Sequence, residues 1–147
     1  MTTQTADRLA RILAATPLRL ADVSDADASQ PPATGGWSKK EILGHLIDSA
    51  ANNHQRFVRA QLAPSYEGPS YEQESWVSTQ GYATESWPDL ANLWLLYNRH
   101  LAHIIRTLPE ASLSAPCTIG ANAPVPLSAV VTGYVDHLEH HLAQILG

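Results

Sequence analysis

The chain has 147 residues, 44% hydrophobic and 16% charged; this excludes a disordered chain and suits one folded domain over residues 1–147. Nine Lys and Arg against fourteen Asp and Glu leave a formal charge of −5, which argues against nucleic-acid binding, because counterion release needs basic patches. The single cysteine, Cys117, excludes an internal disulfide and a Cys-rich zinc site.

A first helix is expected over Thr3–Thr16, with Leu9, Ile12 and Leu13 on one face and Pro17 as its stop. Its charges at helical spacing leave no signal-peptide apolar region. Nor does any run approach the ~18 apolar residues of a membrane span. A soluble cytoplasmic protein without membrane association is the expectation. The polar stretch Ala21–Gly36 reads as a connection with little regular structure. Ser38 and Glu41 form a capping box that opens a second helix, ending near Leu62. At about 100° per residue, Ile42, Leu43, Leu46, Ile47, Ala50, Phe57 and Val58 make its apolar face. Glu41, His45, Asp48, Asn52 and Arg56 form a polar stripe beside it.

Residues 63–85 form a long connection carrying Tyr66, Tyr71, Trp76 and Tyr82. Loops of that kind in compact domains are usually lids or packed covers. A third helix runs from Ser86 to about Leu108, with Leu90, Leu93, Trp94, Tyr97, Leu101, Ile104, Ile105 and Leu108 inward. The Pro-rich residues 109–127 leave room for a short hairpin-like excursion. A fourth helix over Ser128–Leu146 points Val131, Tyr134, Val135, Leu138, Leu142 and Ile145 inward. With no convincing strand run, four amphipathic helices define an all-α four-helix bundle with long inter-helix loops.

Seven histidines are the unusual feature of the composition. His137 and His141 are four apart, so one helix face offers two imidazoles to one ion. Such pairs also arise on solvated faces, and HExxH is absent: Glu139 follows His137 by two positions and points to the opposite face, which excludes a zinc-protease pattern. His45 borders the apolar face of the second helix, and bundle metal sites are built from inward side chains of facing helices. Together the three would make a three-His site with an open coordination position, the catalytic pattern. The alternative for His45 is a solvated stripe with Glu41 and Asp48. His140 falls off the pair's line and reads as a surface residue or a partner of a ligand. His100 and His103 read as surface residues, His54 has no ligand role, and Cys117 reads as a small buried residue.

The segments GGWSKKEILGHLIDSAANNHQRF (35–57), YEQESWV (71–77) and YVDHLEHHLAQIL (134–146) together resemble the DinB/YfiT-like superfamily, in order and spacing over nearly the whole chain. The resemblance implies a four-helix bundle holding a divalent ion, zinc or nickel, on His45, His137 and His141. It implies small-molecule chemistry and leaves the reaction open. The most concrete reading is a transferase using a low-molecular-weight thiol as co-substrate. The alternatives are a metal-dependent hydrolase acting through hydroxide, or a non-catalytic metal- or ligand-binding module. Helical spacing offers Asp48, Asn52 and Gln144 as orienting partners, and Arg56 as a donor for an anionic thiol. Trp76 and Tyr82 are the expected walls of a pocket, and the exposed helix faces are compatible with a homodimer.

Overall fold

The computed structural model describes residues 2–147. Four long helices dominate it: α1 (Thr2–Ala21), α3 (Lys39–Arg59), α5 (Trp87–Arg106) and α6 (Leu127–Leu146). Helix α5 packs against α1 and α3, and α6 packs against the same two from the other side, so the bundle runs α1, α5, α3, α6 around its core. That core is built from the stripes the 3.6-residue period marks, including Leu9, Leu43, Phe57, Trp94, Leu101, Val135 and Leu138. Two residues assigned inward stand outside it: Val58 and Leu93 are 38% and 47% exposed.

The connections hold more structure than their composition suggests. Helix α1 runs through Pro17 rather than stopping before it. Burial of Leu20 and the bond from Trp87 Nε1–H to the Leu20 carbonyl (2.9 Å) stabilise the extra turn. The polar stretch expected to lack regular structure contains α2 (Asp25–Ser29), capped by Ser24. Asp25 ties together two helix starts: its carboxylate accepts from Lys40 Nζ (3.1 Å) and from the Trp87 backbone N–H (2.9 Å).

The hairpin-like excursion allowed for residues 109–127 is present, and an unexpected strand from the earlier connection extends it into a small sheet. Strand β1 (Tyr66–Gly68) pairs in parallel with β2 (Pro116–Ile119), which pairs antiparallel with β3 (Val125–Pro126). Strands of two to four residues are too short to show a period in sequence. Buried Cys117 lies in β2. Between the sheet and α5 runs α4 (Gln73–Gln80), which ends on Gly81 in the left-handed region (φ 68°). Among the described residues, no helix is long and apolar enough to cross a membrane.

Candidate metal centre

His45 lies mid-way along α3, whose start is fixed by the capping box of Ser38 and Glu41 (3.3 and 3.1 Å). His137 and His141 occupy successive turns of α6. Because α3 and α6 are packed neighbours, the three imidazoles meet. Each offers one nitrogen, and the three nitrogens lie within 4.8 Å of one another. His45 Nε2 and His137 Nε2 are 3.0 Å apart. A tetrahedral ion bound at about 2.0–2.1 Å sets nitrogen–nitrogen spacings of roughly 3.3 Å. The closest pair, at 3.0 Å, is about 0.3 Å under that spacing and the outer limit of 4.8 Å exceeds it, so the set brackets the required value. These residues fit a divalent ion.

The surroundings of His45 and His137 disfavour their charged forms. His45 is fully buried, and its Nδ1 has no protein partner. Burial first, then the imidazoles of His137 and His141, lowers the His45 pKa from 6.5 to about 4. His137 is likewise lowered to about 4, by burial and then by His141 and His140. Imidazolium is thus disfavoured where lone pairs are needed.

Orienting contacts come from residues that sequence spacing suggested only in part. Gln144 Oε1 accepts from His141 Nδ1–H at 2.8 Å, which leaves Nε2 of that ring with its lone pair. Gln144 therefore does what helical spacing suggested. His140 is exposed, 3.5 Å from the Gln144 amide nitrogen. Trp37 packs on His45 with ring centroids 5.0 Å apart, and Ser49 Oγ stands 3.5 Å from His137 Nδ1. Sequence reading assigned neither residue to the site. Ser49 was findable, being one helical turn after His45.

Asp48 and Asn52 do other work. Asp48 Oδ1 accepts from the Tyr82 hydroxyl and from Gln80 Nε2, both at 2.7 Å. Burial raises the Asp48 pKa, and those two donors oppose the rise. Asn52 Nδ2 donates to the Asp48 carbonyl (2.9 Å). Tyr82 is thus an anchor for the segment carrying α4, not the pocket wall it was expected to be. Trp76 is 38% exposed and packs on Tyr71 (5.4 Å between centroids). His54 bonds the Tyr97 hydroxyl (2.8 Å), and His100 and His103 are exposed.

A cavity of about 270 Å³ opens beside His137, lined by Ser49, Asn53, Arg56, Tyr71 and Tyr134, with Ile119 and Val130 on its apolar side. Burial raises the Tyr71 phenol, while Ser49 and the Arg56 guanidinium oppose that rise. Three histidines thus converge from two facing helices, and one of them, His137, also borders a small pocket.

The match to a family model over residues 8–145 extends this to descent, and the chain belongs to the DinB superfamily. It is 30% identical over 131 residues to a Bacillus licheniformis protein named "Putative metal-dependent hydrolase", covering 85% of this chain and 72% of that one. A Geobacillus thermodenitrificans protein with the same name is 28% identical, covering 86% and 72%. The solved structure of YfiT from Bacillus subtilis, described as having an unusual four-helix bundle topology, superposes with a TM-score of 0.82. It is 21% identical and covers 95% of this chain and 83% of that one.

Proposed function

We propose that the protein is a metal-dependent enzyme acting on a small molecule, with His45, His137 and His141 holding one divalent ion, zinc or nickel, and that it transfers a low-molecular-weight thiol. The observation that carries the reading is the convergence of three imidazole nitrogens within 4.8 Å of one another, with His137 also lining the cavity bordered by Ser49, Arg56 and Tyr71. Bound there, the ion supplies a Lewis acid that favours the deprotonated form of a thiol or of water.

The chain's own residues do the rest. Trp37 and the buried wall of α3 shield His45 from solvent, and Gln144 holds His141 in one tautomer. A thiol ionises more readily than water, so it needs less help from a base than water does. In the transfer, the thiol gives its proton to solvent and its sulfur bonds to an electrophilic carbon. The leaving group departs with the electron pair of the bond that breaks.

A second reading, hydrolysis, is supported by the names of the relatives. Cobalt substitution separates the two. A sulfur-to-cobalt charge-transfer band on adding cysteine or glutathione, lost in His45→Ala, together with turnover of alkylating electrophiles, supports transfer. Ester or amide cleavage with no band for any thiol supports hydrolysis. Metal uptake without either activity reduces the protein to a binding module.

A further inference from the structure

Arg56 is a half-buried cation in the cavity beside His137. Among the described residues it forms no ion pair. Its polar contact is a long one, from Nη1 to Asn53 Oδ1 at 3.5 Å. Its other neighbours are phenols: burial lowers the guanidinium pKa, and Tyr71 and Tyr66 partly offset that. The nearby Arg59 differs, being exposed and bonded to Gln55 Oε1 at 2.8 Å. A second cavity, of about 290 Å³, meets Arg56 from the β1 side. The guanidinium therefore stands where two cavities meet, with donors directed at no acidic side chain. A desolvated cation left in this way is costly unless an anion completes it.

Arg56 follows His45 by about three turns of α3, on the same face, with Ser49 and Asn53 between them. At 1.5 Å per residue their Cα atoms are roughly 16 Å apart, and helical side chains lean back toward the N-terminus, which shortens that span. The second cavity is also lined by Arg59 and Glu67, of opposite charge, whereas in the cavity beside His137 the Arg56 cation stands among Ser49, Asn53 and Tyr71. There it matches one negative charge, and the planar guanidinium fork matches a carboxylate.

We infer that Arg56 is the recognition site for the carboxylate of an acid substrate, whose reacting end lies several bonds away at the His137 mouth of the cavity. The inference rests on the three-His centre being the reactive site, and it names the class of molecule that the site selects. The protein's net charge of −5 would repel such an acid at long range, so selection falls to this local group.

The test is calorimetric titration of the zinc-loaded full-length protein with 6-mercaptohexanoate, its neutral counterpart 6-mercaptohexanol, and hexanoate, which lacks sulfur. The wild type should bind the acid thiol about tenfold to a hundredfold more tightly than the alcohol. Hexanoate should bind saturably. Arg56→Met should erase the difference and leave the alcohol unaffected, and Arg59→Met should change nothing. Equal affinities in the wild type would overturn the inference. So would a preference that survives Arg56→Met, or one lost equally in Arg59→Met. If Arg56→Met fails to hold zinc or helix, Arg56→Lys carries the test, and its preference must fall with zinc content intact. If the thiols bind no better than hexanoate while hexanoate still depends on Arg56, the acid site stands and thiol transfer falls.

Discussion

His45 Nε2 and His137 Nε2 are 3.0 Å apart, although 92 positions separate them in the chain. The packing of α3 on α6 creates that proximity, and His141 joins it from the next turn of α6. Replacing any one of the three with Ala should therefore weaken zinc binding by more than about 100-fold, beyond the 10–100-fold typical of a lost outer partner. His140→Ala should leave most of the affinity, because that ring is exposed and touches the centre only through Gln144 and the edge of His141. Competition titration against a zinc indicator measures both. Equal losses for His140→Ala and His141→Ala would remove His141 from the ligand set.

Acid should destabilise the metal-free protein through the same rings. His45 and His137 have folded pKa values of about 4, against 6.5 for an ordinary imidazole. Between those values the unfolded chain binds more protons, so stability rises with pH. The contribution is complete above about pH 6.5 and is lost progressively as pH falls toward 4. The melting temperature of chelated protein should fall across that window. In a His45→Gln/His137→Gln variant the fall should be shallower, leaving only the part due to other groups. Parallel curves for the two proteins would show that neither ring titrates as described.

Gly44 should prove irreplaceable for a reason of space. A Cβ placed there would lie 2.2 Å from Tyr82 Cδ2, so Gly44→Ala must expel the ring and break its bond to Asp48. Overpacking of this kind costs about 1–3 kcal/mol. Tyr82→Phe, which keeps the ring and loses only the hydroxyl, should cost about 1 kcal/mol. Urea denaturation orders the two, and limited proteolysis should show Gly44→Ala cut first within residues 73–84. Wild-type stability in Gly44→Ala would mean that Tyr82 does not lie on α3.

These contacts also show where sequence reading runs out. The bundle was legible because each long helix carries an apolar stripe at its own period, and the three histidines because His137 and His141 share a face while His45 borders the stripe of the second helix. Capping at Ser38 was legible from four residues alone. The role of Tyr82 was not, since its bond to Asp48 closes a 34-residue interval and local pattern carries no such information. Pro17 misled for a related reason: the helix continues past it because Leu20 is buried and Trp87 caps its carbonyl, both consequences of tertiary packing. The local hairpin of β2 and β3 fell where a hairpin-like excursion was expected, but β1 escaped because it pairs with a segment some fifty residues away.

Removing metal should leave the fold in place. Fully buried Leu9, Leu43, Leu46, Phe57, Trp94, Leu101 and Ile105 already form a continuous core, and each such side chain contributes on the order of 1.5–3 kcal/mol. A chelator should therefore lower the melting temperature and leave helical circular dichroism unchanged at room temperature. Loss of helix on chelation would make the centre structural, and would count against the enzymatic reading as well.

Gln144 gives the most specific test of the centre, because it touches a ligand without belonging to the set. Its Oε1 accepts from His141 Nδ1–H at 2.8 Å, which fixes the tautomer in which Nε2 carries the lone pair. Gln144→Leu keeps much of the side-chain volume and removes the acceptor, so the ring loses both its orientation and its preferred tautomer. Zinc affinity should fall about 10–100-fold, the range for outer partners of metal-bound imidazoles. Gln144→Glu keeps the acceptor and adds charge, so it should bind zinc at least as tightly as the wild type. A structural role alone would weaken both variants or neither, whereas an orienting role separates them. Both should melt like the wild type when metal-free, since Gln144 is exposed. Equal zinc affinity in Gln144→Leu and wild type would show that His141 needs no partner to present its Nε2, and would leave packing on α6 as the only device holding that ring.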